Sequence, residues 1–200
     1  MTEELAAENY VRTSADERLA FLPATEILSL YRQKELAPTE YLDILLDRID
    51  EDSHHERPIN AFMEILSGEA RQQARAADDF YASAKSTPAG ISDANALKGL
   101  PVATKEKHAL QGRSISQGMQ AHINAVADAD HPLVARIRQA GGIIHGRTTS
   151  PEFSCATVTH SRMWGVTRNP WDRSLSPGGS SGGAAAALAA GMTPLATASD

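Results

Sequence analysis

The chain has 200 residues, 42% hydrophobic and 22% charged, and a formal net charge of -6 from 19 basic against 25 acidic residues. That is enough for one sizeable core and short for two, and an acidic balance with scattered Lys and Arg gives no net pull toward nucleic acid or an anionic membrane. A single cysteine, Cys155, excludes an intrachain disulfide framework and a cysteine-based zinc cluster.

No apolar run is long enough to cross a bilayer, and the acidic start, Met1-Thr-Glu-Glu, lacks the basic-then-apolar layout of a signal peptide. The expectation is a soluble, cytoplasmic protein with no membrane partner. Residues 1–22 are polar and read as a loosely ordered segment, leaving 23–200 as the N-terminal part of a single domain.

From Ala24, apolar positions recur at helical spacing: Ile27, Leu28, Leu30 and Tyr31, then Tyr41, Leu42, Ile44, Leu45 and Ile49. Pro38 marks the break between two amphipathic helices and Thr39 is the expected N-cap of the second. The charge-dense stretch from Asp47 to Arg57 closes that helix, with His54 and His55 read as solvated, not as metal ligands. Ile59 to Leu66 reads as a short strand and Ser67 to Ala84 as an alanine-rich helix. A Pro/Gly/Asp/Asn-containing loop, Ser86 to Asn95, precedes a turn and strand over Leu97 to Lys105. His131 to Gly141 reads as a helix with Leu133, Val134 and Ile137 inward, stopped by Gly141 and followed by a strand over Gly142 to Gly146. Helix, strand, helix, strand in this order indicates an α/β layer architecture.

The stretch Ser176-Pro-Gly-Gly-Ser-Ser-Gly-Gly183 runs directly into the alanines of 184–187. A flexible linker would not be one short burst followed by strong helix formers, so a tight loop entering a helix N-terminus is the natural geometry. A phosphate-binding Walker A loop needs Lys and Ser or Thr after its last glycine, where Ala184 and Ala185 stand, and the dinucleotide fingerprint needs a preceding strand that Arg173-Ser-Leu-Ser-Pro177 does not form. Gly178-Gly-Ser180-Ser-Gly182 and Gly179-Ser-Ser181-Gly-Gly183 both match the nucleophile elbow of α/β-hydrolases. That elbow also follows a strand, however, and the His of a Ser-His-Asp triad should come after the serine, whereas the last His is His160. Activation of a serine by lysine remains.

Three blocks carry a resemblance to the amidase signature hydrolases. Gly99-Leu-Pro-Val-Ala-Thr-Lys105-Glu-Lys resembles the segment that ends on the family's catalytic lysine. Ala140-Gly-Gly-Ile-Ile-His-Gly-Arg-Thr-Thr-Ser-Pro-Glu-Phe153 is similar to its strand and substrate-facing loop, and Thr167-Arg-Asn-Pro-Trp-Asp172 through Pro177-Gly-Gly-Ser-Ser-Gly-Gly183 to the signature itself. The likeness covers roughly residues 24–200.

This resemblance implies a mixed central β-sheet covered by helices on both faces, cut before the sheet is complete. It implies Lys105 as a neutral base and Ser180, preceded by a cis peptide bond, as a relay to a second, nucleophilic serine. Gly179, Ser181 and Ser154 are the expected substrate-binding residues, with Ser181 also a supporting hydrogen-bonding residue and Ser154 lining the acyl pocket. In the family the signature runs on past the aspartate as Asp-x-Gly-Gly-Ser, placing the nucleophile four positions beyond Asp200, so the 200-residue chain alone is expected to be inert. The implied activity is hydrolysis of a small-molecule amide through an acyl-serine, without cofactor, metal or direct nucleic-acid contact, with a homo-oligomer as one expected assembly. Membership in a glutamyl-tRNA(Gln) or aspartyl-tRNA(Asn) amidotransferase complex, as its amidase component, is the alternative, and an α/β-hydrolase esterase the weaker one. Glu106 stands where the family has Asp, which puts its bracing contact in doubt. Lys107 replaces a small polar residue, and Ser114-Ile-Ser-Gln-Gly-Met119 departs from the usual Thr-Thr-Ala-Gly-Ser.

Overall fold

The computed structural model describes residues 14–83 and 95–199. The loop expected over Ser86 to Asn95 lies, except for Asn95, outside the described residues, as do residues 1–13 of the segment read as loosely ordered. The rest of that segment holds a helix, α1 (Ser14–Ala20), in which Asp16 and Ala20 are buried.

Helices α2 (Ala24–Gln33) and α3 (Pro38–Ser53) follow. Thr39 does not cap α3: Pro38 occupies the first helical turn, Ala37 is the N-cap, and the Glu40 carboxylate accepts the Ala37 N–H at 3.4 Å. Proline suits that place because its missing N–H is one the first turn cannot pair anyway. Thr39 instead donates its hydroxyl across to Asp78 of the neighbouring helix α4 (Ser67–Ala82), at 2.7 Å.

The sheet has three strands in the order β1 (Phe62–Ile65), β3 (Ile143–Thr148), β2 (Pro101–Lys105), with β1 antiparallel and β2 parallel to the central β3. The parallel pair needs a crossover, and α5 (Pro132–Gln139) lies within it. Neighbouring residues of β3 show that both faces are covered. Ile143 packs with Leu42 and Leu46 of α3 and Ala70 and Ala74 of α4, whereas Ile144 packs with Val102 of β2 and Val134 and Ile137 of α5. Successive strand side chains point to opposite faces, so the helical layers lie on opposite sides of a mixed sheet. Burying each of the leucine, isoleucine and valine side chains among them stabilises the fold by about 2 kcal/mol.

Leu133, expected inward, is exposed. Only Val134 and Ile137 of this eight-residue helix face the sheet, one turn apart, and Leu133 lies off that stripe. A two-stranded ribbon, β4 (His160–Ser161) with β5 (Gly165–Val166), precedes the last helix, α6 (Gly182–Ala189). After α6 the chain runs beside β2, where the Ala103 N–H donates to Leu195 O at 3.0 Å and the Thr197 N–H to Ala103 O at 2.9 Å. This pairing returns the end of the described chain to the strand that carries Lys105. No helix among the described residues is long and apolar enough to cross a membrane.

Candidate functional site

Lys105 is the last residue of β2, a strand buried along its whole length, and is itself 0% exposed. Its Nζ lies 2.7 Å from Ser180 Oγ, 2.9 Å from Ser181 Oγ and 3.0 Å from Ser199 Oγ. Among the described residues no carboxylate pairs with it. Burial, with a smaller push from the Lys107 charge, lowers its pKa to about 8, so an appreciable fraction is neutral amine near physiological pH.

The serines are delivered by the loop entering α6. The Gly179–Ser180 peptide bond is cis, as the resemblance implied. A side chain at Gly179 would meet Ala156 O at 2.7 Å and the Val158 backbone at 2.9 Å, and one at Gly183 would collide with Thr149. Glycine is required at both places because backbone packs there against backbone. Thr159 secures the same loop, accepting the Gly182 N–H at 3.0 Å and donating to Gly178 O at 2.9 Å.

Bonding separates the two adjacent serines. A hydroxyl has one proton and two lone pairs. Ser181 Oγ donates to Ser199 O at 3.1 Å and accepts from the Ser199 N–H at 3.1 Å and from Lys105, which uses its full capacity. Ser180 Oγ is engaged by Lys105 alone among the described residues, so its proton is uncommitted. A neutral lysine offers two N–H donors and one lone pair. Of its three neighbours Ser181 cannot fill that lone pair, while Ser180, the nearest, and Ser199, whose Oγ also meets only Lys105 among the described residues, can.

Ser199 is the member that sequence reasoning missed. Nothing in Ala196-Thr-Ala-Ser199 marks chemistry; its place depends on the pairing of 195–197 with β2. Gly179 lies in the loop as expected. Ser154 does not touch Lys105 or the signature serines: it sits in a turn with φ 57, its hydroxyl buried without a partner among the described residues, in the stretch that packs beneath Gly179.

The doubt over Glu106 resolves in favour of a brace. Its Oε1 accepts the Gln117 N–H at 2.9 Å and the Ser116 hydroxyl at 3.4 Å, tying the departing Ser114–Met119 stretch to the end of the strand that carries Lys105. Burial raises its pKa, opposed by these bonds and by the Arg147 charge. Fully buried Arg147 donates to Glu106 O at 2.9 Å and to Glu64 at 3.1 Å, so the main chain immediately after Lys105 is held by a guanidinium.

A family model for amidases matches residues 40–200. A glutamyl-tRNA(Gln) amidotransferase subunit of Chromohalobacter salexigens is 38% identical over 176 residues, which is 88% of this chain and 34% of that protein. The native peptide amidase of Stenotrophomonas maltophilia superposes with a TM-score of 0.73 at 26% identity, over 86% of this chain and 34% of that one. Fatty acid amide hydrolase shares the fold with a TM-score of 0.82 at 22% identity, over 94% of this chain and 32% of that one. The chain therefore spans about a third of the length of these proteins.

Proposed function

Because the chain belongs to the amidase family, we propose that it supplies the proton-moving half of a serine amidase site, with Lys105 as base and Ser180 as relay. One observation carries this reading: a buried lysine, without a carboxylate among the described residues, lies 2.7 Å from a serine whose hydroxyl proton is uncommitted. Neutral Lys105 accepts the proton of Ser180 as Ser180 takes that of the attacking serine, expected four positions past Asp200. The attacking oxygen bonds to the amide carbonyl carbon. Collapse breaks the C–N bond, and the proton returns through Ser180 to the departing ammonia or amine. Water then cleaves the acyl-serine by the same route in reverse. The lysine already serves as base, so the chemistry requires neither metal nor cofactor. Ser181 holds Lys105 in place, while Gly179 and Ser154 belong to the wall that faces substrate.

The substrate class is a small carboxylic amide, and the setting a soluble, cytoplasmic enzyme without direct nucleic-acid contact. The likeness to an amidotransferase component favours a second reading, in which the same site works inside a complex with partner chains. Copurification with two partner chains would select it, and activity of a homo-oligomer the free amidase. The test is amide hydrolysis by the full-length protein and its Lys105→Ala and Ser180→Ala variants. Both should lose turnover, and a serine-directed fluorophosphonate should label a residue other than Ser180. Retained turnover in Lys105→Ala, or labelling at Ser180, overturns the reading.

A further inference from the structure

His108 is buried at 6% exposure, three residues beyond Lys105, and no step above uses it. Its backbone N–H donates to Lys105 O at 2.9 Å. Its ring reaches Thr197, with Nδ1 2.8 Å from the threonine Oγ1, and that same oxygen accepts the Lys105 N–H at 2.9 Å. Both main-chain polar groups of Lys105 are therefore held by one histidine, the carbonyl directly and the amide through Thr197. Thr197 also donates its own N–H to Ala103 O at 2.9 Å, and two residues later Ser199 touches the Lys105 amine.

We propose that His108 is a positioning residue: acting through Thr197, it sets the Lys105 backbone and the register of the 195–199 segment, and so the distance from Nζ to the serines. This rests on the reading of Lys105 as the base. The bonding fixes the ring's form. Lys105 N is a donor, so the only partner shown to be able to accept the Thr197 hydroxyl proton is Nδ1, which leaves the histidine neutral with its proton on Nε2. Burial lowers its pKa to about 4, helped by the charges it faces: His131, whose ring centroid is 4.9 Å away, and Lys105 and Lys107. A protonated ring could not accept from Thr197, so neutrality and the hydrogen bond support each other.

The experiment uses the full-length protein, with nitrogen-15 spectra of the His108 ring and kinetics on a simple aliphatic amide. The ring should be a neutral Nε2–H tautomer that changes on Thr197→Val. His108→Leu should lower kcat on the order of tenfold, the scale of a small misplacement of a catalytic group, with KM within about twofold. His108→Asn, whose side chain can place an acceptor where Nδ1 lies, should restore kcat, while His108→Gln, which places its amide farther out, should not. Combined with Thr197→Val, His108→Leu should cost no more than either change alone. A neutral, bonded ring with kcat unaffected by His108→Leu overturns the proposal. So does rescue by Gln equal to that by Asn, additive losses, or an Nδ1–H tautomer. If no amide is turned over by any variant, the amidase reading has failed; the ring spectrum and its response to Thr197→Val still decide the bond on which the positioning role depends. Should His108→Leu fail to fold, Thr197→Ser and Thr197→Val, which keep and remove the hydroxyl, provide the same comparison.

Discussion

The two ends of β2 are equally buried and do opposite work. At the start, Leu100 just before the strand packs with Tyr31, Tyr41 and Tyr81, and Val102 within it with Leu110, Val134 and Ile144. At the finish, Lys105 and Glu106 bring charge-bearing groups into the same dry interior, held by hydroxyls, Gln117 and Arg147. Apolar burial contributes stability, whereas burying a charge costs it unless partners compensate. The strand thus anchors at one end what it destabilises at the other, and the burial that costs stability there is what lowers the Lys105 pKa.

Four substitutions and a pH series break or sharpen the contrast. Lys105→Met should abolish amide hydrolysis by the full-length protein, a loss of about a thousandfold or more, while thermal denaturation shows a Tm unchanged or raised. A large fall in Tm would show that the polar end is structural. Leu100→Ala should do the reverse, costing about 3 kcal/mol in denaturant unfolding with kcat per folded molecule nearly intact. Arg147→Met leaves Glu64 without one of its partners and Glu106 O without a donor. Glu64 reaches solvent and also pairs with Arg113, so unfolding should register a loss of about 2 kcal/mol.

The pH series reads the buried imidazoles. His145 and His108 are both held to about 4 by burial, against about 6.5 for the unfolded chain. Their folded values are depressed, so their contribution is complete above 6.5 and is lost as pH falls toward 4. Tm should fall by more than about 10 °C over that window, and by less in His145→Gln. Smallest is Arg71→Ala, which removes a half-exposed pair with Asp43 and should cost below about 1 kcal/mol.

The apolar end of this contrast was the legible one. The spacing of Ile27, Leu28, Tyr31, Tyr41, Leu42 and Leu45 gave α2 and α3 because burial itself creates the period. The glycine loop was readable because close backbone approach restricts residue choice, whereas Lys105 was singled out only by the resemblance of its segment to the family's. Thr39 misled because a capping side chain competes with proline one position earlier, and local preference does not rank them. Leu133 misled because a two-turn helix shows a stripe too narrow to fix from sequence. Ser199 and the part of Thr197 depended on pairing with a strand more than 90 residues away, which no local pattern encodes.

Ser181 lies within 3 Å of a basic amine in a loop shaped for serine chemistry, yet both its lone pairs are filled and its proton is given to a carbonyl. Such an oxygen has no electron pair to present to an electrophile. The site therefore contains its own internal control, a serine silenced by hydrogen bonding beside one left free to exchange its proton, and an acylating or phosphonylating probe should pass over Ser181 even when lysine is fully deprotonated.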